Sequence, residues 1–478
     1  MTARPGLLVV GNGMAAERFL DELVFVGGAE RYEITVVGEE PTGAYNRIML
    51  ARVVGGAGPD EITTKPAGWY AVNGIRLVTR RWVQRLDLAR GEAVIGDGET
   101  VGFDRCVLAT GSSAWMPPVA GIRTAEGVRQ AGVHLLRTME DGLALRRETD
   151  PAGGRRRISV VGGGLLGLEL ARTFVDQGHR VTVLHVGDTL MQTQLDRLGG
   201  TVLRDAVAAM GIEVVFGQTE AVLARDRLEA LRLDDGRVVP TDTAVFATGT
   251  RPRIETAAAS GIEVARGILV DDRLTTSAPT VSAIGECAEH DGVTYGLVAP
   301  CFEQAGVLAA ILGGSDPEAR YRGSKVCAKL KVAGVDVASM GPIEAVEDTD
   351  EVVQVIEERR GVYRKLIIRD GRLLGAVVVG DGESTARLVQ LFDSGERMPP
   401  NPVDVLCSPP AFARVGGPGS AELCNCNRVS EATVEEAIGA GSDTVEKLRA
   451  STRAGTGCGS CVSRLVEALE RHGALSVV

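Results

Sequence analysis

A chain of 478 residues is too long for one hydrophobic core, and about 150 residues per domain suggests roughly three domains. A formal charge of −11 argues against a nucleic-acid binder, while 44% hydrophobic and 24% charged residues are ordinary for globular protein. No apolar run reaches the ~18 residues of a membrane span and the first residues lack a signal-peptide core, so no membrane and a cytoplasmic location are expected.

Residues 7–10 read as a short apolar strand running into Gly11-Asn-Gly13-Met-Ala-Ala16, a G-x-G-x-x-A turn. Gly11 permits the tight bend, Gly13 lets a pyrophosphate approach the backbone, and Ala16 is small enough for close helix packing. The helix N-terminus then supplies N–H groups and a favourable dipole. A second strand at 33–37 ends in Gly38-Glu39-Glu40, and the Glu39 carboxylate is placed for the hydroxyls of an adenosine ribose. The turn alone is weak evidence, but strand, helix, strand and acid in register predict a dinucleotide site. Further on, Arg105-Cys-Val-Leu-Ala-Thr110-Gly111 is an apolar strand closed by Ala-Thr-Gly, which by itself reads as a strand and a turn.

The pattern then recurs. A strand at 158–161 runs into Gly162-Gly-Gly164-Leu-Leu-Gly167, a helix to 175 and a strand at 180–184, and Ala244-Val-Phe-Ala-Thr248-Gly249 repeats the closure. Two such folds imply two nucleotides, one resident and one exchanging, unless the second fold is purely structural. No acid ends the second strand of the repeat. His185 stands there, as a ribose contact or as a strand-end residue, with Asp188 beyond it, so NADH and NADPH both stay open. Between the repeats Arg155, Arg156 and Arg157 read as a solvated loop.

After residue 250 the chain returns to the first fold, since Thr280-Val-Ser-Ala-Ile-Gly285-Glu286 is a strand ending in a Gly-acid pair. The carboxylate of Glu286 suits the ribityl hydroxyls of a flavin. The succession G-x-G-x-x-A, Ala-Thr-Gly, G-x-G-x-x-G, Ala-Thr-Gly, Gly-Glu resembles the FAD-dependent pyridine nucleotide–disulfide reductase superfamily. The resemblance implies an α/β protein with two Rossmann-like dinucleotide-binding domains, the NAD domain inserted in the FAD domain. By it, residues 1–125 and 250–320 bind FAD, 126–249 bind NADH or NADPH, and 321–397 form a small α+β interface domain. The residues numbered in the motifs above are its expected cofactor contacts.

Within that superfamily Ala44-Tyr-Asn-Arg47-Ile-Met-Leu50 resembles the Tyr-Asp/Asn-Arg stretch of ferredoxin-type reductases and nitrite reductases, which implies that Arg47 contacts FAD. Where many ferredoxin reductases continue Ser-Lys, this chain has Ala51-Arg52. Glu169 matches an acid near the nicotinamide, though a helix carboxylate facing solvent reads equally simply. Disulfide reductases and NADH peroxidases carry cysteine beside the flavin, and residues 43–55 hold none. Electrons are expected to leave the flavin by another route, and no catalytic acid, base or nucleophile is assigned.

Residues 363–379 read as a hairpin around Asp370-Gly371, followed by a helix at 384–392. The Pro- and Gly-rich stretch 398–420 reads as a linker. Beyond it, 421–478 form a small helical module carrying Cys424-Asn-Cys426 and Cys458-Gly-Ser-Cys461. Four such thiols can close around one metal centre, a common remedy for a module too small for a large core. Helices are expected near 431–438 and 443–450, with Thr433-Val-Glu-Glu436 spaced as a capping box. Another helix opens at Cys461, its dipole favouring anionic sulfur. The pattern resembles the bacterioferritin-associated-ferredoxin-like domain, most specifically in Ala454-Gly-Thr-Gly457-Cys458-Gly-Ser-Cys461. That implies one 2Fe–2S cluster on Cys424, Cys426, Cys458 and Cys461. Four thiolates also make a closed zinc site; the close Cys424–Cys426 spacing and the neighbouring flavin favour iron–sulfur. The other cysteines, Cys106, Cys287, Cys301, Cys327 and Cys407, read as small buried apolar residues.

Gly285-Glu286-Cys-Ala-Glu-His and Tyr295-Gly-Leu-Val-Ala-Pro300 resemble the large subunit of NAD(P)H nitrite reductase, whose front half the whole chain resembles, as it does the electron-transfer subunit of assimilatory nitrate reductase. A further cysteine quartet for a sirohaem-linked 4Fe–4S cluster is not found, so nitrite reduction within this chain is not expected. The resemblance implies electron flow from NAD(P)H through FAD and 2Fe–2S to a separate catalytic subunit of nitrate or nitrite reductase. The rival readings are a reductase for an unrelated ferredoxin or cytochrome acceptor, and a redox or iron sensor with little turnover.

Overall fold

The computed structural model describes all residues except 1–3, 97, 333, 408–421, 425, 426, 428, 457–460 and 474–478. Strand β1 (Gly6–Val10) is apolar on both faces, and Leu7, Leu8, Val9 and Val10 are all buried. That continuous run suits a strand inside a parallel sheet covered on both sides. Helix α1 (Met14–Phe25) carries the chain over to β2 (Glu33–Val37), paired parallel to β1 from Gly6↔Glu33 to Val10↔Val37. Across the sheet the order is Val281–Ala283, Arg105–Leu108, β1, β2, Arg76–Val78. Its first edge strand therefore comes from far beyond the rest.

The excursion between builds a second parallel sheet with the same logic. Strand β3 (Arg157–Val161), helix α2 (Leu165–Asp176) and strand β4 (Arg180–His185) repeat the β1-α1-β2 unit. Val133–Leu135 and Thr243–Phe246 lie on one side of β3, and Ile212–Phe216 lies beyond β4. Arg157 opens β3 and pairs with Asp242, so the basic run expected as a loop is partly strand. Both glycine turns are pressed against a neighbouring strand end. Gly11 has φ +104° and a Cβ there would lie 2.2 Å from the Ala109 oxygen; Gly162 has φ +120° and would meet the Ala247 oxygen at 2.3 Å. Only glycine fits such a bend.

Each Ala-Thr-Gly does more than end a strand. The two chain crossings that follow, Ser112–Ala114 and Thr250–Pro252, pair antiparallel. The Thr110 hydroxyl donates to the Arg253 carbonyl at 2.7 Å, and the Thr248 hydroxyl to the Trp115 carbonyl at 2.6 Å. Arg253 N–H donates to Gly111 O and Trp115 N–H to Gly249 O, both at 2.9 Å. Each threonine thus straps the crossing that belongs to the other closure.

Helix α3 (Val298–Gly313) packs along α1. A third sheet follows, antiparallel, in the order Cys327–Val332, Val335–Met340, Arg372–Val379, Val362–Arg369, Glu351–Glu357. Asp370 (φ +52°) and Gly371 (φ +69°) make its tight turn, as a two-residue hairpin requires. This sheet meets the second fold at the N-cap of helix Arg197–Ala209 through a buried ion pair, Lys365 to Asp196 at 3.0 Å, which the Tyr363 hydroxyl also joins. Within the stretch expected as a linker, Val403–Cys407 is a helix. Its Val405 and Leu406 are buried in the cluster that holds Leu388 and Val389, and burial of those two side chains overrides the linker composition around them.

The terminal module has its own apolar cluster, including Leu423, Val434, Leu448, Leu465 and Leu469. Its described helices are Glu431–Gly439, Val445–Thr452 and α4 (Val462–Arg471). The first begins before Thr433: the Ser430 hydroxyl accepts the Thr433 N–H at 3.1 Å, so Ser430 is the cap and Thr433 lies in the first turn.

Candidate active site between the two glycine turns

A cavity of about 1460 Å³ runs between the two nucleotide folds. From the first fold Gly11, Gly13, Glu39, Arg47, Thr110, Gly111 and Glu286 line it. From the second come Gly162, Gly164, Glu169, His185 and Gly249. Ala16, Gly167 and Gly285 stand behind the wall. Ala16 and Gly167 let their helices sit close, and a Cβ on Gly167 would lie 1.9 Å from the Gly162 oxygen. Gly285 N–H donates to the buried Gln304 side chain at 2.7 Å.

The first wall is a set of interlocked charges. Glu286 accepts from the Ser112 hydroxyl at 2.7 Å and from the Arg137 guanidinium, whose Nε also donates to Ser112 O at 3.0 Å. Arg47 donates to Arg137 O at 2.7 Å and to Glu40 at 2.7 Å, and Glu40 also accepts from the Tyr45 hydroxyl at 2.8 Å. Glu40 is therefore the acid tied into the network. Glu39 is exposed at the rim and pairs with Arg253 at 2.8 Å. Arg137 and Arg253 were not legible as site residues. Arg137 does precede a capping box, Thr138 with Asp141, which fixes its backbone; nothing local marks Arg253.

The second wall is mostly uncharged. His185 Nδ1 accepts the Gly163 N–H at 3.1 Å, and burial lowers the imidazole pKa, so the ring is neutral with its proton on Nε2. That Nε2, the Thr219 hydroxyl and Arg129 Nε are buried, on residues of the cavity wall, without a partner among the described residues. Unsatisfied donors of this kind fit a ligand rich in hydroxyl and phosphate oxygens. Gln192, Thr193, Gln194 and Gln218 complete the rim. Glu169 faces the cavity half-buried, and burial raises its carboxyl to about 7. Arg52 does not approach it; its guanidinium is exposed and lies 3.7 Å from Glu61.

Cys301 also lines the cavity, its thiol donating to Leu297 O at 3.2 Å and kept protonated by burial and the nearby Glu286. Cys106 and Cys287 are buried as expected, whereas Cys407 is exposed. In the terminal module Cys424 and Cys461 are 1% and 4% exposed and belong to one apolar cluster, with Cys461 at the N-cap of α4. Two buried cysteines in one apolar cluster fit a thiolate-ligated centre. Cys426 and Cys458 lie outside the described residues.

Residues 5–305 match the pyridine nucleotide-disulphide oxidoreductase family. The chain belongs to that family. The oxidoreductase also matches the rubredoxin NAD+ reductase C-terminal domain over residues 327–396 and the BFD-like [2Fe-2S] binding domain over 423–471. FAD and NAD(P)H are thus its nucleotide cofactors, and a 2Fe–2S cluster belongs to its terminal module. Among curated relatives, the nitrite reductase [NAD(P)H] of Bacillus subtilis is 35% identical over 98% of this chain and 57% of its own length. The assimilatory nitrate reductase electron transfer subunit of the same organism is 35% identical over 98% of this chain and 59% of its own. The oxidoreductase spans less than two thirds of either relative. Its fold matches the putidaredoxin reductase–putidaredoxin complex with a TM-score of 0.73 at 23% identity, covering 84% of this chain and 96% of that one. The NADH:rubredoxin oxidoreductase of Clostridium acetobutylicum gives 0.68 at 24% identity, covering 84% and 99%. No helix among the described residues is long and apolar enough to cross a membrane.

Proposed function

We propose that this oxidoreductase takes electrons from NAD(P)H and delivers them singly, through its terminal module, to a separate catalytic subunit of nitrate or nitrite reductase. The observation that carries the reading is one cavity walled by both glycine turns, with Glu169 on one side and the Arg47–Glu40 and Arg137–Glu286 pairs on the other. Bound between the two turns, NAD(P)H would supply a hydride whose two electrons FAD would hold and the 2Fe–2S centre would pass on singly, so that one NAD(P)H would reduce two oxidised clusters and leave NAD(P)+ and one proton.

The residues of the chain hold and orient. Gly11 and Gly162 bring backbone N–H groups and helix N-termini to the two pyrophosphates. Glu286, fixed by Arg137 and Ser112, presents a carboxylate to flavin hydroxyls, and Arg47 is fixed by Glu40 beside it. Thr110 and Thr248 strap the crossings, which sets the approach of one nucleotide to the other. The Cys301 thiol, kept protonated by burial, is already fully reduced sulfur and takes no electrons from the flavin. The proposed cluster ligands are Cys424, Cys426, Cys458 and Cys461. The resemblance to the nitrate reductase electron transfer subunit and to nitrite reductase supports the choice of acceptor.

The test is an anaerobic NADH titration followed by absorbance and low-temperature EPR, with iron counted. Flavin bleaching with a growing spin signal from a reduced 2Fe–2S centre is expected. Cys458→Ala should lose the signal and the reduction of the catalytic subunit while bleaching survives. Full transfer to the catalytic subunit in that variant sinks the scheme.

A further inference from the structure

Helix α1 starts on the cavity wall with Met14 and Ala15, and one turn further it presents Arg18, Asp21 and Glu22. The cysteine module sits against that turn. Arg453 donates to Asp21 at 2.6 Å and lies 2.9 Å from Glu22. Asn427, the residue after Cys426, accepts from the Arg18 guanidinium and donates to the Arg453 carbonyl and, at 3.0 Å, to the Thr456 hydroxyl. On the other side Arg18 pairs with Glu22 at 2.6 Å and lies over the Phe302 ring at 5.2 Å. Phe302 is the neighbour of Cys301 in α3, and Cys301 lines the cavity. A line of contacts therefore leads from the cavity wall through Phe302 and Arg18 to Asn427, beside a proposed cluster ligand.

Two features mark this contact as built. Arg453 holds φ +65°, a left-handed conformation that favours glycine, at the end of helix Val445–Thr452. From that position its guanidinium pairs with two carboxylates of another domain, Asp21 and Glu22. Asp21 is in turn braced by Lys65 at 2.6 Å, so its orientation does not depend on the module. The ion pairs are only partly buried, with side chains 16–26% exposed, and salt screens such pairs.

We propose that the Arg18–Asp21–Glu22 face of α1 is the seat on which the 2Fe–2S module receives electrons, and that Arg453 is the clamp that salt or a competing partner releases. This rests on the functional reading above. One electron at a time crosses the seat from flavin to cluster; release of the clamp frees the module to meet its acceptor.

The experiment uses the full chain, with Arg453→Glu and the reciprocal Asp21→Arg/Arg453→Glu pair. Stopped-flow mixing with NADH reads flavin bleaching and cluster reduction separately, and hydrogen exchange is followed on the oxidised protein without NADH. Arg453→Glu should bleach flavin at the wild-type rate, reduce its cluster about tenfold more slowly, and raise exchange in residues 18–25 and 449–456. The reciprocal pair should recover both readouts, which separates loss of the clamp from misfolding. Wild type should slow similarly between about 0.05 and 1 M salt, and Arg453→Glu should have little salt dependence left. Faster exchange with unchanged cluster reduction overturns the seat as the transfer position. Unchanged exchange overturns the clamp. A wild type whose cluster NADH never reduces overturns the functional reading itself, and needs no variant to reveal it.

Discussion

The two nucleotide folds share a backbone plan and differ in what they place on it. Aligned on their glycine turns, Gly11 answers to Gly162, Gly13 to Gly164 and Ala16 to Gly167. One residue later α1 buries Glu17 where α2 buries Leu168, and the next position is Arg18 in α1 but Glu169 in α2. Arg18 reaches out to the cysteine module, whereas Glu169 looks into the cavity. The rims diverge further. Around the first fold the acids are satisfied by arginines, Glu40 by Arg47, Glu39 by Arg253 and Glu286 by Arg137 from the edge of the second fold, which leaves them rigid and preorganised. In the second, His185 Nε2 and the Thr219 hydroxyl wait for a partner. A prearranged, mutually satisfied cradle suits a nucleotide that stays, and an unsatisfied rim suits one that comes and goes.

The largest effect is expected at Gly167, where a side chain meets the Gly162 oxygen. Gly167→Val should cut NADH-driven flavin bleaching by a factor on the order of 100 or more, while FAD content read by absorbance is retained. Loss of FAD as well would show that the two folds do not act independently. Next comes Arg137→Ala, which strips Glu286 of its cation. Weakening of FAD binding by about tenfold is expected, measured as flavin released on dilution, with bleaching of the remaining holoprotein little changed.

Glu17 gives a stability test. Burial raises its carboxyl from 4.5 to about 7, against the pull of Lys65. Between those values the unfolded chain loses its proton first, so stability falls as pH rises from 4.5 to 7 and is level above. Glu17→Gln should flatten that slope, with a gain of about 1–3 kcal/mol over wild type at pH 8 in denaturant titrations. A slope unchanged in the variant would place the titration elsewhere. Glu169, raised to about 7 by burial, should leave an ionisation near neutral pH in the NADH-dependent bleaching rate. Glu169→Gln should remove it at a cost of only a few-fold in rate. The smallest change is His185→Arg, expected to move the kcat/KM ratio toward NADPH by about twofold.

Much of this fold could be read before the structure. The span 33–37 is a strand as expected, and the Asp370-Gly371 turn and the helix opening after Cys461 lie where the residues place them. The misreadings share a cause. The helix Val403–Cys407 sits in a Pro-rich stretch, and only the third sheet beside it explains why Val405 and Leu406 are buried. The Thr433 box was spaced correctly but displaced by Ser430, a competing cap three residues earlier. At the cavity, the glycines and Glu286 were legible from local pattern, and Arg137 and Arg253 were not, since an arginine carries no signature of the acid it will find.

By itself the sequence determined what operates over a few residues: where the backbone needs glycine, where a strand must be apolar on both faces, and which cysteines share a motif. Those follow from φ preference, side-chain volume and thiol chemistry, all local. Tertiary structure alone decided that Arg47 takes Glu40 and leaves Glu39 to Arg253, and that each closing threonine straps the opposite crossing. It also set Arg453 on Asp21 across a separation of 432 residues. Hydrogen bonds and ion pairs act over about 3 Å, so their partners are chosen by where the folded chain returns, which no local propensity encodes.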